Sequence, residues 1–117
     1  EPGQVDYLNL HGTATPNNDS AEDLAVGTVF GSALRCSSTK GATGHTLGAA
    51  GGLEAVICLL ALQHGLMPGG LNLREPDPAL SCHYLAANVE AALNVVASNS
   101  FGFGGQNTCL VMAAADL

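Results

Sequence analysis

Fixed positive charge is nearly absent from this sequence: Arg35, Lys40 and Arg74 stand against ten acidic residues, for a formal net charge of −7. So anionic a chain is not expected to bind nucleic acid by neutralising phosphates, nor an anionic membrane surface. The four cysteines, Cys36, Cys58, Cys82 and Cys109, form no C-x-x-C pair. That spacing gives neither a zinc site nor a dense disulfide scaffold, so buried, reduced thiols of a cytoplasmic protein are expected. No G-x-x-x-x-G-K-[ST] is present, and Phe101-Gly-Phe-Gly-Gly105 leads into a strand where a dinucleotide fingerprint needs a helix. No G-x-S-x-G elbow of a serine hydrolase occurs either. The apolar run Leu53 to Leu62 carries Glu54, is followed by Gln63 and His64 and is preceded by the glycines Gly48, Gly51 and Gly52. It falls short of the ~20 apolar residues of a membrane span.

What is present is a chain of 117 residues, at most one domain, apolar and poor in both charge and aromatics. Such a composition suits a buried α/β core whose sheet is covered by helices. The chain starts at Glu1 and runs almost at once into the strand-like Val5 to Leu10, so a piece of a longer polypeptide is expected. No signal peptide is visible at its start.

Along the chain, Val5 to Leu10 reads as a strand that ends in the turn His11 to Pro16. A helix follows to about Phe30, with Asp19 or Ser20 as its N-cap and Gly31 closing it. Leu34 to Thr39 is the next strand, and a long helix is expected from about His45 to His64, closed by Gly65. Met67 to Pro78 reads as loop. After an ambiguous stretch from His83 to Ala92, Asn94–Ser98 and Thr108–Ala114 read as strands joined by Ser100 to Asn107. Strand and helix alternating in this way predict a parallel sheet, and the final pair adds an antiparallel edge.

The segment Ser37 to Gly52 carries the most chemistry. It puts Lys40, a glycine-rich turn and His45 ahead of a helix that is apolar almost all round, and such a helix is normally buried. At a helix start, unpaired N–H groups and the positive dipole end disfavour imidazolium. A neutral His45 could then donate an N–H to a carbonyl oxygen. Its small residues read equally as close helix packing against a sheet. His11, Lys40 and Ser100 to Gly105 all fall just past predicted strand ends, the place where α/β proteins build sites. Two neutral imidazoles, His11 and His45, aimed at one carbonyl would stabilise an enolate beside a thioester. With Glu22 or Asp19 they would also suit a metal, but no H-x-x-x-H spacing supports that. Lys40, at a buried strand end, calls for a carboxylate partner, and Glu22 is the candidate.

Three segments together carry a resemblance: Asn9-Leu-His-Gly-Thr-Ala-Thr-Pro16, Ser38-Thr-Lys-Gly-Ala-Thr-Gly-His45 with Leu47-Gly-Ala-Ala-Gly51, and Asn99-Ser-Phe-Gly-Phe-Gly-Gly105. In order and separation they resemble the active-site motifs of β-ketoacyl-(acyl-carrier-protein) synthases. The resemblance implies a thiolase-like α/β fold with a mixed, mostly parallel sheet, covering helices and an antiparallel edge. Residues 1–117 would be an incomplete C-terminal half. It implies decarboxylative Claisen condensation in fatty acid or polyketide elongation, with no cofactor. By motif, His11 and His45 take the places of the catalytic histidines and Lys40 that of the lysine ordering the site. Glu22 matches a family acid near that lysine, Thr13 and Thr15 the threonines that bind phosphopantetheine, and Phe103 the gating aromatic with Phe101 beside it.

Ala14 stands where many members have Ser or Gly, and Gln106 where Thr is frequent. None of the four cysteines stands in the context of the family's nucleophile, so this chain alone is expected to be inactive. The implied partners are acyl carrier protein bearing acyl and malonyl groups, the N-terminal half of the fold, and a second full-length chain in a homodimer or heterodimer. Without that N-terminal half, the long apolar helix would be left partly uncovered. The rival reading is a non-catalytic partner subunit of chain-length-factor type, and a thiolase is a third.

Overall fold

The computed structural model of the chain describes residues 1–115. Strand β1 (Tyr7–Asn9) leads into helix α1 (Pro16–Phe30), strand β2 (Arg35–Ser37), a short helix α2 (Lys40–Thr43) and helix α3 (Ala50–His64). Then come the two-residue strands β3 (Leu66–Met67), β4 (His83–Tyr84) and β5 (Val89–Glu90), and the long hairpin β6 (Val95–Gly102) and β7 (Gln106–Ala113). The main sheet runs β4-β2-β1-β6-β7. Every pairing in it is parallel except β6 with β7. β3 and β5 form a separate antiparallel pair.

The period of two in a strand distributes the core to both faces of the sheet. Tyr7 and Val96 pack with Cys58 and Ala61 of α3, while Leu8 and Ala97 pack with Val26 of α1. α3 buries Ala50, Glu54, Cys58 and Ala61, one strip at helical spacing. Three of those four are small, which brings the helix close to β6, and a Cβ on Gly51 would stand 3.1 Å from Ser100 Oγ. The far side of α3 leaves Val56, Leu59 and Leu60 about half exposed. The apolar helix, expected to be partly uncovered in this chain, is thus buried on one face.

By length and composition alone, Leu47–His64 is long and apolar enough to cross a membrane, with a mean hydropathy of 1.4 over 18 residues. Here the same stretch carries the buried Glu54 and packs along β6.

Four expectations about local structure change. α1 starts at Pro16 with Thr15 before it, because proline at the first helical position loses no hydrogen bond; Asp19 lies in the first turn instead of capping. The helix expected from His45 begins only at Ala50, since Gly44 at φ 76° and Leu47 at φ 54° turn the chain left-handed, where a right-handed helix cannot pass. Met67 pairs with Val89 inside the region read as loop. The β6–β7 ladder continues to Gly102 and Gln106, which reduces the glycine-rich connection to a tight turn. Gly31 and Gly65 close α1 and α3 as expected.

Candidate active site

The turn after β1 is shaped by glycine. Gly12 has φ 43°, and a Cβ there would come 2.4 Å from the Cβ of Ser38. Only a residue without a side chain fits, and Ser38 Oγ donates to Gly12 O at 2.8 Å. This seats the His11 turn against the end of β2. Glu22, buried on α1, then accepts the N–H of His11 at 2.8 Å, the N–H of Gly12 at 2.9 Å and Nδ2 of Asn99 at 3.2 Å. Burial raises the Glu22 pKa against the pull of these donors.

Lys40 opens α2 with its side chain buried. Its Nζ donates to His11 O at 2.5 Å and is ion-paired with Glu54 of α3. The expected partner, Glu22, is thus corrected to Glu54: Glu22 is taken up by the backbone of the His11 turn, and α3 carries its single acid to the ammonium. A buried ammonium requires such a partner. In the sequence, Glu54 looked like an interruption of an apolar run. A lone acid on an otherwise apolar helix was the signal that could have found it.

Two imidazoles meet beside this pair. The ring centroids of His11 and His45 lie 5.4 Å apart, edge to face at 87°. His45 stands ahead of α3 rather than in its first turn, so the helix-start argument for it does not apply. Its Nδ1 accepts the N–H of Leu47 at 3.2 Å. In the neutral ring that leaves the proton on Nε2, free to donate. His11 is buried, and its Nδ1 has no partner. Its pKa lies below the ordinary value, first because of burial and then because of the charges of Lys40 and His45. A neutral imidazole is the form such surroundings favour.

Phe101 of β6 packs against the His11 ring, tilted by 49° with centroids 5.5 Å apart. Phe103, at the tip of the hairpin between Gly102 and Gly104, is fully exposed and plugs no core. Thr13 Oγ1 and Thr15 Oγ1 lie 2.9 Å apart on the outer side of the His11 turn. His11, Lys40, His45 and Phe101 thus form one cluster, Glu22 supports it from beneath, half-buried Thr13 lies beside it, and Thr15 and Phe103 stand in the open.

Among the thiols, burial pushes Cys36 and Cys58 up to about 12 and Cys82 up to about 11. None of these three is poised as a thiolate. Cys109 departs from the expectation of burial: it lies on the exposed strand β7.

Residues 1–74 match the family model described as "Beta-ketoacyl synthase, C-terminal domain". The chain is 45% identical to the mitochondrial 3-oxoacyl-[acyl-carrier-protein] synthase of Arabidopsis thaliana, over 97% of this chain and 26% of that protein. It is 46% identical to 3-oxoacyl-[acyl-carrier-protein] synthase 1 of Escherichia coli, over 92% of this chain and 27% of that one. Among solved structures, it is similar to a ketosynthase in complex with its chain length factor from Xenorhabdus doucetiae. The TM-score there is 0.90 with 44% identity, over 98% of this chain and 30% of that one. The chain spans about a quarter of the length of the curated relatives it matches.

Proposed function

Because the chain belongs to the β-ketoacyl synthase family, through its C-terminal domain, we propose that it forms the histidine-bearing part of a 3-oxoacyl-(acyl-carrier-protein) synthase. The fold is thiolase-like, and residues 1–117 are read as an incomplete C-terminal half of it. The observation that carries the proposal is the edge-to-face meeting of His11 and His45 next to a buried lysine.

In this reading an acyl group rests as a thioester on a cysteine from another part of the protein. Malonyl carrier thioester enters beside the two imidazoles. Cleavage of the carboxylate carbon bond releases carbon dioxide and leaves its electron pair on the enolate. The enolate oxygen takes an N–H from each ring, since with centroids 5.4 Å apart both are in reach of one small atom. The carbanion then attacks the acyl thioester and expels the cysteine thiolate. Lys40 holds the His11 carbonyl, and its charge adds to burial in favouring the neutral ring. Thr13 and Thr15 face the phosphopantetheine arm, and Phe103 gates the entrance with Phe101.

The carrier protein, the N-terminal half of the fold and a second full-length chain are the proposed partners. The half-exposed strip Val56, Leu59 and Leu60 is read as the surface the N-terminal half covers. By themselves these residues are expected not to turn over, because burial raises all four thiols.

In the full-length synthase, His45→Ala abolishes malonyl decarboxylation while acyl loading of the cysteine stays measurable. Decarboxylation at the parent rate in that variant contradicts the role. Absence of any turnover in the parent itself supports the rival reading of a non-catalytic partner subunit.

A further inference from the structure

The segment Pro68 to Tyr84 forms a long strap beside α1, held to the body at few points. At its first end Ser37 Oγ donates to Pro68 O at 2.5 Å, and Gly70 N–H to Leu85 O at 2.9 Å. Leu71 is seated against α2: a Cβ on Gly41 would come within 3.1 Å of Leu71 O. From Leu73 to Leu80 the backbone bonds are local. Leu73 N–H donates to Gly70 O at 3.2 Å, Ala79 N–H to Asp77 Oδ1 at 2.9 Å and Leu80 N–H to Asp77 O at 3.0 Å.

At the far end His83 and Tyr84 pair with β2 as strand β4, and one carboxylate holds the residues around that strand to α1. Asp23, buried on α1, accepts the N–H of Ser81 at 3.0 and 3.1 Å, Ser81 Oγ at 3.0 Å, the N–H of Cys82 at 3.0 Å and Tyr84 Oη at 2.6 Å. Cys82 Sγ adds a contact to Asp23 O at 3.5 Å. Burial works against the charge, yet these donors outweigh it and pull the carboxyl down to about 2.

Between the strap, α1 and the His11 turn lies a cavity of about 380 Å³, with Gly12, Ala14 and Glu22 on one side and Leu71 and Leu80 on the other. Gly12 and Glu22 hold the backbone of His11, and Leu71 abuts the helix that begins with Lys40. The strap therefore touches α2, faces the His11 turn across the cavity, and is anchored at one end by Asp23 together with the pairing of β4 with β2.

We infer that Asp23 is a positioning residue: by pinning Ser81, Cys82 and Tyr84 it keeps the strap seated, and through Leu71 and the cavity wall it sets Lys40 and the His11 turn at their working separation. The inference rests on the function proposed above. Charge and acceptor count both matter to it, because an amide of the same shape would turn an N–H towards donors that are themselves N–H and O–H groups.

Cys82 provides a reporter that a catalytic assay does not. In the full-length synthase carrying Cys109→Ser to remove an exposed thiol, Asp23→Asn and Asp23→Ala free the strap. Labelling of Cys82 by a maleimide is expected to accelerate at least ~10-fold. The kcat of malonyl decarboxylation is expected to fall ~10-fold with KM nearly unchanged, and Asp23→Glu to restore part of both. Faster labelling with unaltered kcat would reduce Asp23 to a purely structural pin and overturn the inference. Unchanged labelling overturns it as well.

Should the variants fail to fold, hydrogen exchange in the unmodified protein decides: the Ser81 and Cys82 amides must exchange much more slowly than Glu75, and equal rates refute the anchor. A parent enzyme without decarboxylase activity refutes the proposed function, while the labelling and exchange results still judge the anchor.

Discussion

The buried pair of Lys40 and Glu54 separates the fold from the chemistry more sharply than any other feature. Their side chains are only 6% and 2% exposed, so removing one partner strands the other charge in the interior. Glu54→Leu keeps a good helix former in α3 and leaves the ammonium with one neutral acceptor, the His11 carbonyl. The cost expected for breaking such a pair is about 3–5 kcal/mol.

The double variant Lys40→Met with Glu54→Leu removes both charges and fills the space with apolar atoms, a change that is often neutral or better. Against that stands the His11 carbonyl, which loses its donor, at about 1–3 kcal/mol. The double variant should therefore lie within ~2 kcal/mol of the parent and be more stable than the Glu54 single variant. Urea unfolding of the full-length synthase, read as a double-mutant cycle, measures the coupling. Malonyl decarboxylation should stay lost in the double variant even where stability returns. A single Glu54→Leu change that costs under ~1 kcal/mol, or a double variant that shows the plain sum of two large losses, would refute the reasoning.

Three more tests address the turn, the ring and the tip. Gly12→Ala puts a methyl 2.4 Å from the Cβ of Ser38 at φ 43°, so it should cost at least ~2 kcal/mol, of which about 1–2 is the left-handed strain alone. Adding Ser38→Gly should recover the clash but not the strain, and a silent Gly12→Ala would show that the turn is not so confined. His11 titrates below its ordinary 6.5 through burial and then through the charges of Lys40 and His45. Because the neutral ring is the working form, the acid limb of decarboxylation should lie below pH 6.5. Lys40→Met removes a lowering influence and should move any remaining limb upward, and a limb that stays put or falls argues against the coupling. The sign for stability is the same: the folded state resists protonation of His11, so stability drops as pH falls through 6.5. Phe103→Ala, at a fully exposed tip, should change stability by less than ~0.5 kcal/mol while altering acyl loading or chain-length preference. Kinetics indistinguishable from the parent would remove Phe103 from the gate.

Much of the arrangement was legible in the residues. Val5 to Leu10 and Asn94–Ser98 read as strands where β1 and β6 lie, and Gly31 and Gly65 marked helix ends, because glycine alone enters such backbone turns without cost. Alternation of strand and helix gave the parallel sheet, and three motifs past strand ends gave the histidines and the lysine. These are local properties: side-chain period, backbone freedom and the place of a residue relative to an element's end.

Contacts between distant segments were not legible, because nothing in spacing alone says which acid reaches which cation. Glu22 and Glu54 were both available to Lys40. The choice was made by the Gly12 turn, which claims Glu22 for its own N–H groups, and by the pitch of α3, which turns Glu54 inward with Ala50 and Cys58. The start of α3 likewise depended on two left-handed residues, Gly44 and Leu47, of which only the glycine gives warning in the sequence. Composition and pattern by themselves determined the kind of fold and the residue types of the site. Which groups lie within bonding distance was decided only when the sheet brought residues 29, 14 and 77 positions apart to one edge, since electrostatic and hydrogen-bond energies depend on separation in space and not along the chain.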